Sequence, residues 1–268
     1  MTSYHLTKKL EKVSIIMPCY NCERFIESAI NSVVSQTYDN WELIICDDGS
    51  SDQTREIAYR YENFDNRITL IDNFKSKGAP GARNSCLDHA TGRYIAFLDA
   101  DDLWYPEKLS IQLQFMEEHS SVFCFTYQDV INENGEYQYS IKAPSRVSKK
   151  KMRITNFIPC VTAIYDSYAL GKIYQPNIRK RNDYALWLKL LDKTEANCLN
   201  LNTASYRSNS YGLASGGKLE LLKYYISCML DFGGCNRPSL VIRVPIYLMF
   251  MLLKKSNVRL FNWLVIRL

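Results

Sequence analysis

The chain has 268 residues, 47% hydrophobic and 23% charged, a globular composition that excludes a disordered tail or a collagen-like fibre. Eleven glycines and eight prolines are too few for a low-complexity linker. The net charge of +5 suits a phosphate-bearing partner or an anionic surface, but no dense basic stripe marks a nucleic-acid binder.

Val13–Met17 is a short apolar run that reads as a strand, followed by apolar residues at helical spacing from Phe25 to Val34. Glu42–Cys46 is a second buried strand, ending in the turn Asp47-Asp48-Gly49-Ser50-Ser51-Asp52, whose Ser and Asp can cap the next helix. Ile68–Ile71 is a third strand. Gly78 to Gly81 makes a loop, and a helix runs on through Asn84 and Leu87 to Gly92. Tyr94–Leu98 is a fourth strand, ending in Asp99-Ala100-Asp101-Asp102; Pro106 opens a helix, and Val122–Tyr127 is a fifth strand. Beyond it the pattern is less regular. A helix follows Asp183, with Tyr184, Trp187, Leu188 and Leu191 on one face, and strand-like pieces lie around Leu199 and at Ala204–Arg207.

Continuous apolar strands alternating with helices predict an α/β fold with a mostly parallel sheet covered on both faces. Ligands of such sheets bind beyond the carboxyl ends of the strands. Three polar clusters fall there: Tyr20-Asn21, Asp47-Asp48 and Asp99 to Asp102. If Asp99-x-Asp101 is extended, both carboxylates point the same way. Crowded carboxylates resist ionising, and a divalent cation removes that penalty, so Asp99 and Asp101 are candidate ligands for Mg²⁺ or Mn²⁺ beside a diphosphate. The alternative is helix capping at Pro106. For Asp183 the competing roles are a general base, helped by the helix dipole, and a simple N-cap. Cys19-x-x-Cys22 invites a redox or zinc reading, but the sequence has no second such pair and only three histidines. Arg179-Lys180-Arg181 suits either a departing diphosphate or a solvated face, and Tyr206-Arg207 with Ser208 to Ser215 suits a lid near the phosphates.

Taken together, Pro18-Cys19-Tyr20-Asn21, Asp47 to Asp52, Gly81-Ala82-Arg83-Asn84, Phe97 to Asp102 and Asn182 to Trp187 resemble the ordered signature of the family-2 inverting glycosyltransferases. The resemblance covers about residues 12 to 210. It implies a GT-A fold, in which a Rossmann-like nucleotide-binding half is fused to an acceptor-binding half. It also implies that Pro18, Tyr20, Asp48, Arg83 and Asp99 serve the nucleotide sugar. Tyr20 would pack on the base, Asp48 would accept the uracil N–H, and Arg83 would lie near the nucleotide. Asp99 and Asp101 would hold the metal, and Asp183 would be the general base. The family more often has Glu before that Asp, where this chain has Asn182.

The expected organisation is a glycosyltransferase domain over residues 1–215, with halves at about 12–127 and 128–215, then a basic amphipathic helical segment over 216–268. After Asp231 there is no acidic residue, and Arg237, Arg243, Lys254, Lys255, Arg259 and Arg267 alternate with apolar patches. That pattern suits interfacial helices on an anionic leaflet, or helices packed on the domain. Nine cysteines, an odd count without pairing rhythm, predict a reducing compartment. The first twelve residues lack an apolar targeting core, and no stretch reaches the ~18 apolar residues of a membrane span. The expected location is therefore cytoplasmic, peripheral on the inner face of the inner membrane. The function expected from the resemblance is transfer of a hexose or N-acetylhexosamine. The donor would be a UDP-linked nucleotide sugar, and the acceptor a lipid-linked diphosphate glycan. The product would be a β-bond in O-antigen, capsule or another surface polysaccharide. The rivals are a sugar-1-phosphate nucleotidyltransferase, disfavoured by the lack of a Gly-rich basic loop after the first strand, and a catalytically silent membrane-surface glycan or nucleotide binder.

Overall fold

A computed structural model describes residues 11–208 and 218–268. The first half is a β-α alternation: β1 (Val13–Cys19), α1 (Ile26–Val34), β2 (Trp41–Asp47), α2 (Thr54–Phe64), β3 (Ile68–Asp72), α3 (Ala79–His89) and β4 (Tyr94–Phe97). The second half holds β5 (Leu103–Trp104), α4 (Lys108–Glu118), β6 (Phe123–Ile131), β7 (Tyr137–Ile141), β8 (Arg146–Val147) and α5 (Lys149–Met152). A 3₁₀ turn (Cys160–Thr162), β9 (Ile164–Asp166), α6 (Ser167–Leu170), α7 (Asn182–Leu190) and β10 (Ala196–Arg207) follow. Three helices close the described chain: α8 (Lys218–Asp231), α9 (Arg237–Ser256) and α10 (Val258–Val265).

One ten-stranded sheet runs β3-β2-β1-β4-β9-β6-β10-β5, with β7 beside β6 and β8 beside β10. The pairs β3–β2, β2–β1, β1–β4 and β6–β10 are parallel. Along this path only β9 and β5 run the other way. The carboxyl ends of β1, β2 and β4 therefore share one edge. The buried strands alternate between two cores, as the two-residue repeat of an extended chain requires. On β1, Ile16 faces one core while Val13, Ile15 and Met17 face the other; on β2, Ile44 and Cys46 oppose Leu43 and Ile45. Trp187 of α7 is fully buried, with its ring centroid 5.5 Å from those of Phe97 and Phe123, which fixes α7 against β4 and β6.

The two strand-like pieces expected around Leu199 and Ala204–Arg207 are one strand, β10. Its register against β6 shifts between Leu199 and Asn202 and again before Ser205, which breaks the sequence alternation. The helix expected from Pro106 begins at Lys108. Helices α8 to α10 bury Tyr225, Met229, Tyr247, Phe250, Phe261 and Val265 in the same core as Trp187. Asn262 fastens α10 to β7, donating to the Ser140 carbonyl at 2.9 Å and accepting from the Lys142 N–H at 2.9 Å. The outward side of these helices leaves Val241, Ile242, Met249, Leu252, Trp263 and Ile266 exposed. Among the described residues, no helix is long and apolar enough to cross a membrane.

Candidate active site

The loops beyond β1 and β2 are tied together. Asn21 has a left-handed backbone (φ 45), and its Oδ1 accepts from the Ser51 N–H at 2.8 Å. Cys22 N–H donates to Thr54 Oγ1 at 2.7 Å. Pro18 is buried at the end of β1, and Tyr20, just past it, is 57% exposed. Asp47 is buried and accepts the Ser50 hydroxyl at 2.5 Å, so it holds the turn. Asp48 faces the loop between β3 and α3, accepting from Gly78 N–H at 2.7 Å and Asn73 Nδ2 at 2.5 Å. That loop comes so close to α3 that a Cβ on Gly81 would stand 1.7 Å from the Ser76 carbonyl oxygen. Glycine is required there by space.

The acidic segment after β4 is a turn, closed by Asp102 N–H donating to the Asp99 carbonyl at 3.0 Å. The extended geometry expected for Asp99-x-Asp101 is therefore replaced by a turn, which buries Asp102 and leaves the other two carboxylates less covered. Arg207, at the end of β10, clamps this turn. Its backbone N–H donates to Asp102 Oδ1 at 2.8 Å and its Nε to the Asp101 carbonyl at 2.8 Å. Tyr206 and Arg207 are thus fixed strand residues and not part of a lid. Of the lid expected at Ser208 to Ser215, residues 209–215 lie outside the described residues. Burial, then the charge of Asp99, pushes the Asp101 carboxyl up to about 6. Burial, then Asp101 and Asp99, pushes Asp102 up as well. The expected crowding of acids is real.

Arg83 reaches into this turn from α3. Its buried guanidinium pairs with Asp99 through Nη2, while Nη1 donates to Asn182 Oδ1 at 2.9 Å and Gln175 Oε1 at 3.3 Å. Burial alone would lower its pKa, but the neighbouring charges, Asp99 foremost and Asp183 among them, hold it raised. Arg83 thereby ties the carboxylate turn after β4 to the start of α7. Asn84 secures the same junction, exchanging two hydrogen bonds with the Gln175 backbone, at 2.9 and 2.8 Å.

Asp183 lies in the first turn of α7 and is not its N-cap, a position held by Arg181 in a left-handed conformation (φ 63). Its Oδ2 accepts from Asn156 Nδ2 at 2.8 Å. The Tyr206 hydroxyl marks the convergence: burial raises its pKa, and the charges of Asp102, Asp101, Asp99 and Asp183 all raise it further. Four carboxylates from two distant segments thus act on one phenol.

Among the described residues, no group of three or more His, Cys, Asp or Glu has the geometry to hold a metal unaided. Two carboxylates, with the remaining positions filled by phosphate oxygens and water, is the donor set that Mg²⁺ or Mn²⁺ favours. The crowding of Asp101 by Asp99, only partly offset by Arg83 and Arg207, suits such an ion. The redox reading of Cys19 fails, since the thiol is buried and its pKa is raised by a hydrogen bond with Cys22 and by burial. In the basic run, Lys180 pairs with Glu220 at 2.8 Å and Arg181 donates to Tyr247 Oη at 2.5 Å, while Arg179 is exposed. Asn73, Asn156 and Gln175 are site-organising residues that carried no motif signal, because neutral amides follow no spacing rule.

A Rossmann-like half, an acidic turn at its carboxyl edge and a second carboxylate brought opposite on a helix define a glycosyltransferase of GT-A architecture. The chain belongs to glycosyl transferase family 2, whose pattern it matches over residues 14–174. It is 38% identical, over 82% of its length and 86% of the relative's, to the Escherichia coli UDP-Glc:alpha-D-GlcNAc-diphosphoundecaprenol beta-1,3-glucosyltransferase WfgD. The crystal structure of S. aureus TarS in complex with UDP-GlcNAc shares the fold at a TM-score of 0.67 and 22% identity, over 90% of this chain and 71% of that one. So does the mannosyltransferase PcManGT from Pyrobaculum calidifontis, in complex with GDP-Man and Mn²⁺, at a TM-score of 0.65 and 18% identity, over 95% and 73%.

Proposed function

We propose that the chain moves a hexose or N-acetylhexosamine from a UDP-sugar to a hydroxyl of a lipid-linked diphosphate glycan. The anomeric centre inverts to give a β-bond in a bacterial surface polysaccharide. The observation that carries this reading is the Arg83 bridge, which pairs with Asp99 beyond β4 and donates to Asn182, the residue before Asp183 on α7. WfgD, whose name specifies a UDP-sugar and a diphosphoundecaprenol acceptor, supports the substrate classes.

In this reading the exposed Tyr20 packs on the uracil, at the edge where Pro18 ends β1, and Asp48 accepts the uracil N–H, exchanging Asn73 and Gly78 for the base. Arg83 holds Asp99 in place beside the ribose and diphosphate. Asp99 and Asp101 are the residues that would hold Mn²⁺ or Mg²⁺, which when bound offsets the charge gathering on the leaving diphosphate. Asp183 takes the proton of the attacking acceptor hydroxyl, on the face of the sugar opposite the leaving group. Asn156 orients it.

The exposed apolar side of α9 and α10 is flanked by Lys255, Arg259 and Arg267, which suits an anionic membrane surface where a lipid-linked acceptor is anchored. In this reading the chain sits peripherally on the cytoplasmic face of the inner membrane. The test is mass spectrometry of lipid-diphosphate sugars incubated with a panel of nucleotide sugars and Mn²⁺. A mass gain of one hexose or N-acetylhexosamine with UDP release is expected. Pyrophosphate release from UTP and a sugar 1-phosphate, with no transfer, would support the nucleotidyltransferase instead. Flotation with vesicles containing anionic lipid, lost on Trp263→Glu, checks the membrane contact.

A further inference from the structure

The acids read as cation ligands, Asp99 and Asp101, share one turn, and each is held by a different arginine. Arg83 pairs with the Asp99 carboxylate itself. Asp101 is held through its main chain, where its carbonyl accepts from Arg207 Nε at 2.8 Å. Asp102, the next residue, accepts from the Arg207 N–H at 2.8 Å. Arg207 is itself anchored: it ends β10, pairs with Ile131 of β6, and is followed by Ser208, whose N–H donates to the Ile131 carbonyl at 2.9 Å.

The rest of the Arg207 side chain reaches two other loops. Nη1 donates to the Asn132 carbonyl at 3.2 Å and the Glu133 carbonyl at 3.0 Å, at the tip of the hairpin between β6 and β7. The guanidinium lies 4.8 Å from the ring centre of Phe25, in the loop that carries Tyr20. Arg24 lies 5.2 Å from the same ring and 4.0 Å from the Glu133 carboxylate, which ties the hairpin tip to that loop a second time. One buried guanidinium thus fastens the acidic turn to the hairpin beyond β6 and to the loop beyond β1. Its planar fork of fixed donors meets three carbonyls and a ring at once, which the single ammonium of a lysine cannot do.

We propose that Arg207 is a positioning residue for the divalent cation. By fixing the Asp101 peptide it holds the Asp101 carboxylate at the spacing from Asp99 that lets both bind one ion. This rests on the metal reading of the two acids given above. Like charges on one turn push apart, while an ion such as Mg²⁺ demands near-ideal octahedral geometry, so the backbone that carries the acids has to be rigid. Charge alone predicts the reverse effect. A guanidinium repels a cation, so an Arg207 that acted only as a charge would weaken cation binding. The hydrogen bonds favour position over charge, because they engage main-chain carbonyls of two separate loops.

The experiment uses the full chain, with Mn²⁺ and UDP as probes. Mn²⁺ affinity is read from the electron paramagnetic resonance signal of the free ion at saturating UDP, against a blank without protein. UDP affinity is read by calorimetry in EDTA, where no metal takes part. Arg207→Lys keeps the charge and the backbone N–H and loses the fork. Mn²⁺ affinity is expected to fall about tenfold in this variant, with metal-free UDP affinity unchanged. Phe25→Leu removes the ring beside the guanidinium, leaves its hydrogen bonds, and should lower Mn²⁺ affinity about threefold. Circular dichroism confirms folding, and Phe25→Leu decides the matter if Arg207→Lys does not fold. Mn²⁺ affinity unchanged or tightened in the deciding variant overturns the positioning role. Equal losses of Mn²⁺ affinity and metal-free UDP affinity assign Arg207 to the general integrity of the nucleotide site and also overturn it. Absence of Mn²⁺ binding by the wild type with UDP overturns the metal reading itself, and the positioning role with it.

Discussion

Replacing Arg83 by Met keeps the aliphatic stem and removes the charge. The neutral acceptors Asn182 and Gln175 each lose a hydrogen bond, at about 1 kcal/mol apiece. Asp99 loses a charge-assisted bond of the kind worth about 1.5–3 kcal/mol, and water screens part of this because its side chain is 32% exposed. The total is about 3 kcal/mol of unfolding free energy, most of it from leaving buried acceptors unpaired. Urea unfolding of wild type, Arg83→Met, Asp99→Asn and the double variant measures this, with an expected coupling between the two sites of about 1–2 kcal/mol. UDP affinity, read by calorimetry with Mn²⁺, should fall more than about tenfold in Arg83→Met, because Asp99 and the start of α7 lose their common anchor. A stability loss below about 1 kcal/mol, with additive single variants, would refute the view that Arg83 joins the two halves of the site.

Gly81→Ala must displace the Ser76 carbonyl, and with it the loop that holds Asp48, so a stability loss of about 1–3 kcal/mol and weaker UDP binding are expected together. Intact UDP affinity in a destabilised Gly81→Ala protein would separate that loop from the base site. Lys108 is fully buried, donates to Gln112 and the Thr162 carbonyl, and is held down to about 7 by burial, against the opposing influence of Cys124 on β6. The unfolded chain therefore binds this proton more tightly from about 7 up to the ordinary lysine value near 10.4, and stability should rise with pH between about 7 and 8, below the range in which the buried thiols, whose pKa values are raised by burial, act in the opposite sense. The Cys124 thiol, pushed up to about 11 by burial, opposes the lysine only above about 8.5, where the unfolded thiol begins to ionise. Lys108→Met should flatten the rise in thermal melts; an unchanged pH slope would contradict the assignment.

The first half of the chain was legible because its strands, such as Glu42–Cys46 and Tyr94–Leu98, are continuous apolar runs that end in polar turns at one edge. Asp48 and Asp101 stand out by position at that edge, whereas Arg83 and Asp183, which lie on helices, are singled out only by the resemblance to the family. What the sequence hid follows from local physics. The three residues of β9 are too few to display a period, and the register shifts of β10 interrupt its alternation. The turn at Asp99 to Asp102 depends on Arg207, which is more than a hundred residues away in sequence and announces nothing locally. In the C-terminal helices Tyr247 and Phe250 are buried while Ile242, Met249 and Leu252 are exposed, so apolar content alone does not tell the packed side from the outer one.

The central claim, that Asp183 removes the acceptor proton while the acids beyond β4 serve the donor, is tested most directly by Asp183→Asn. The amide oxygen can still accept from Asn156, so the site should keep its shape. Single-turnover transfer to the lipid-diphosphate acceptor should slow by about 10²- to 10⁴-fold, with UDP affinity unchanged. Transfer at close to the wild-type rate would contradict the claim.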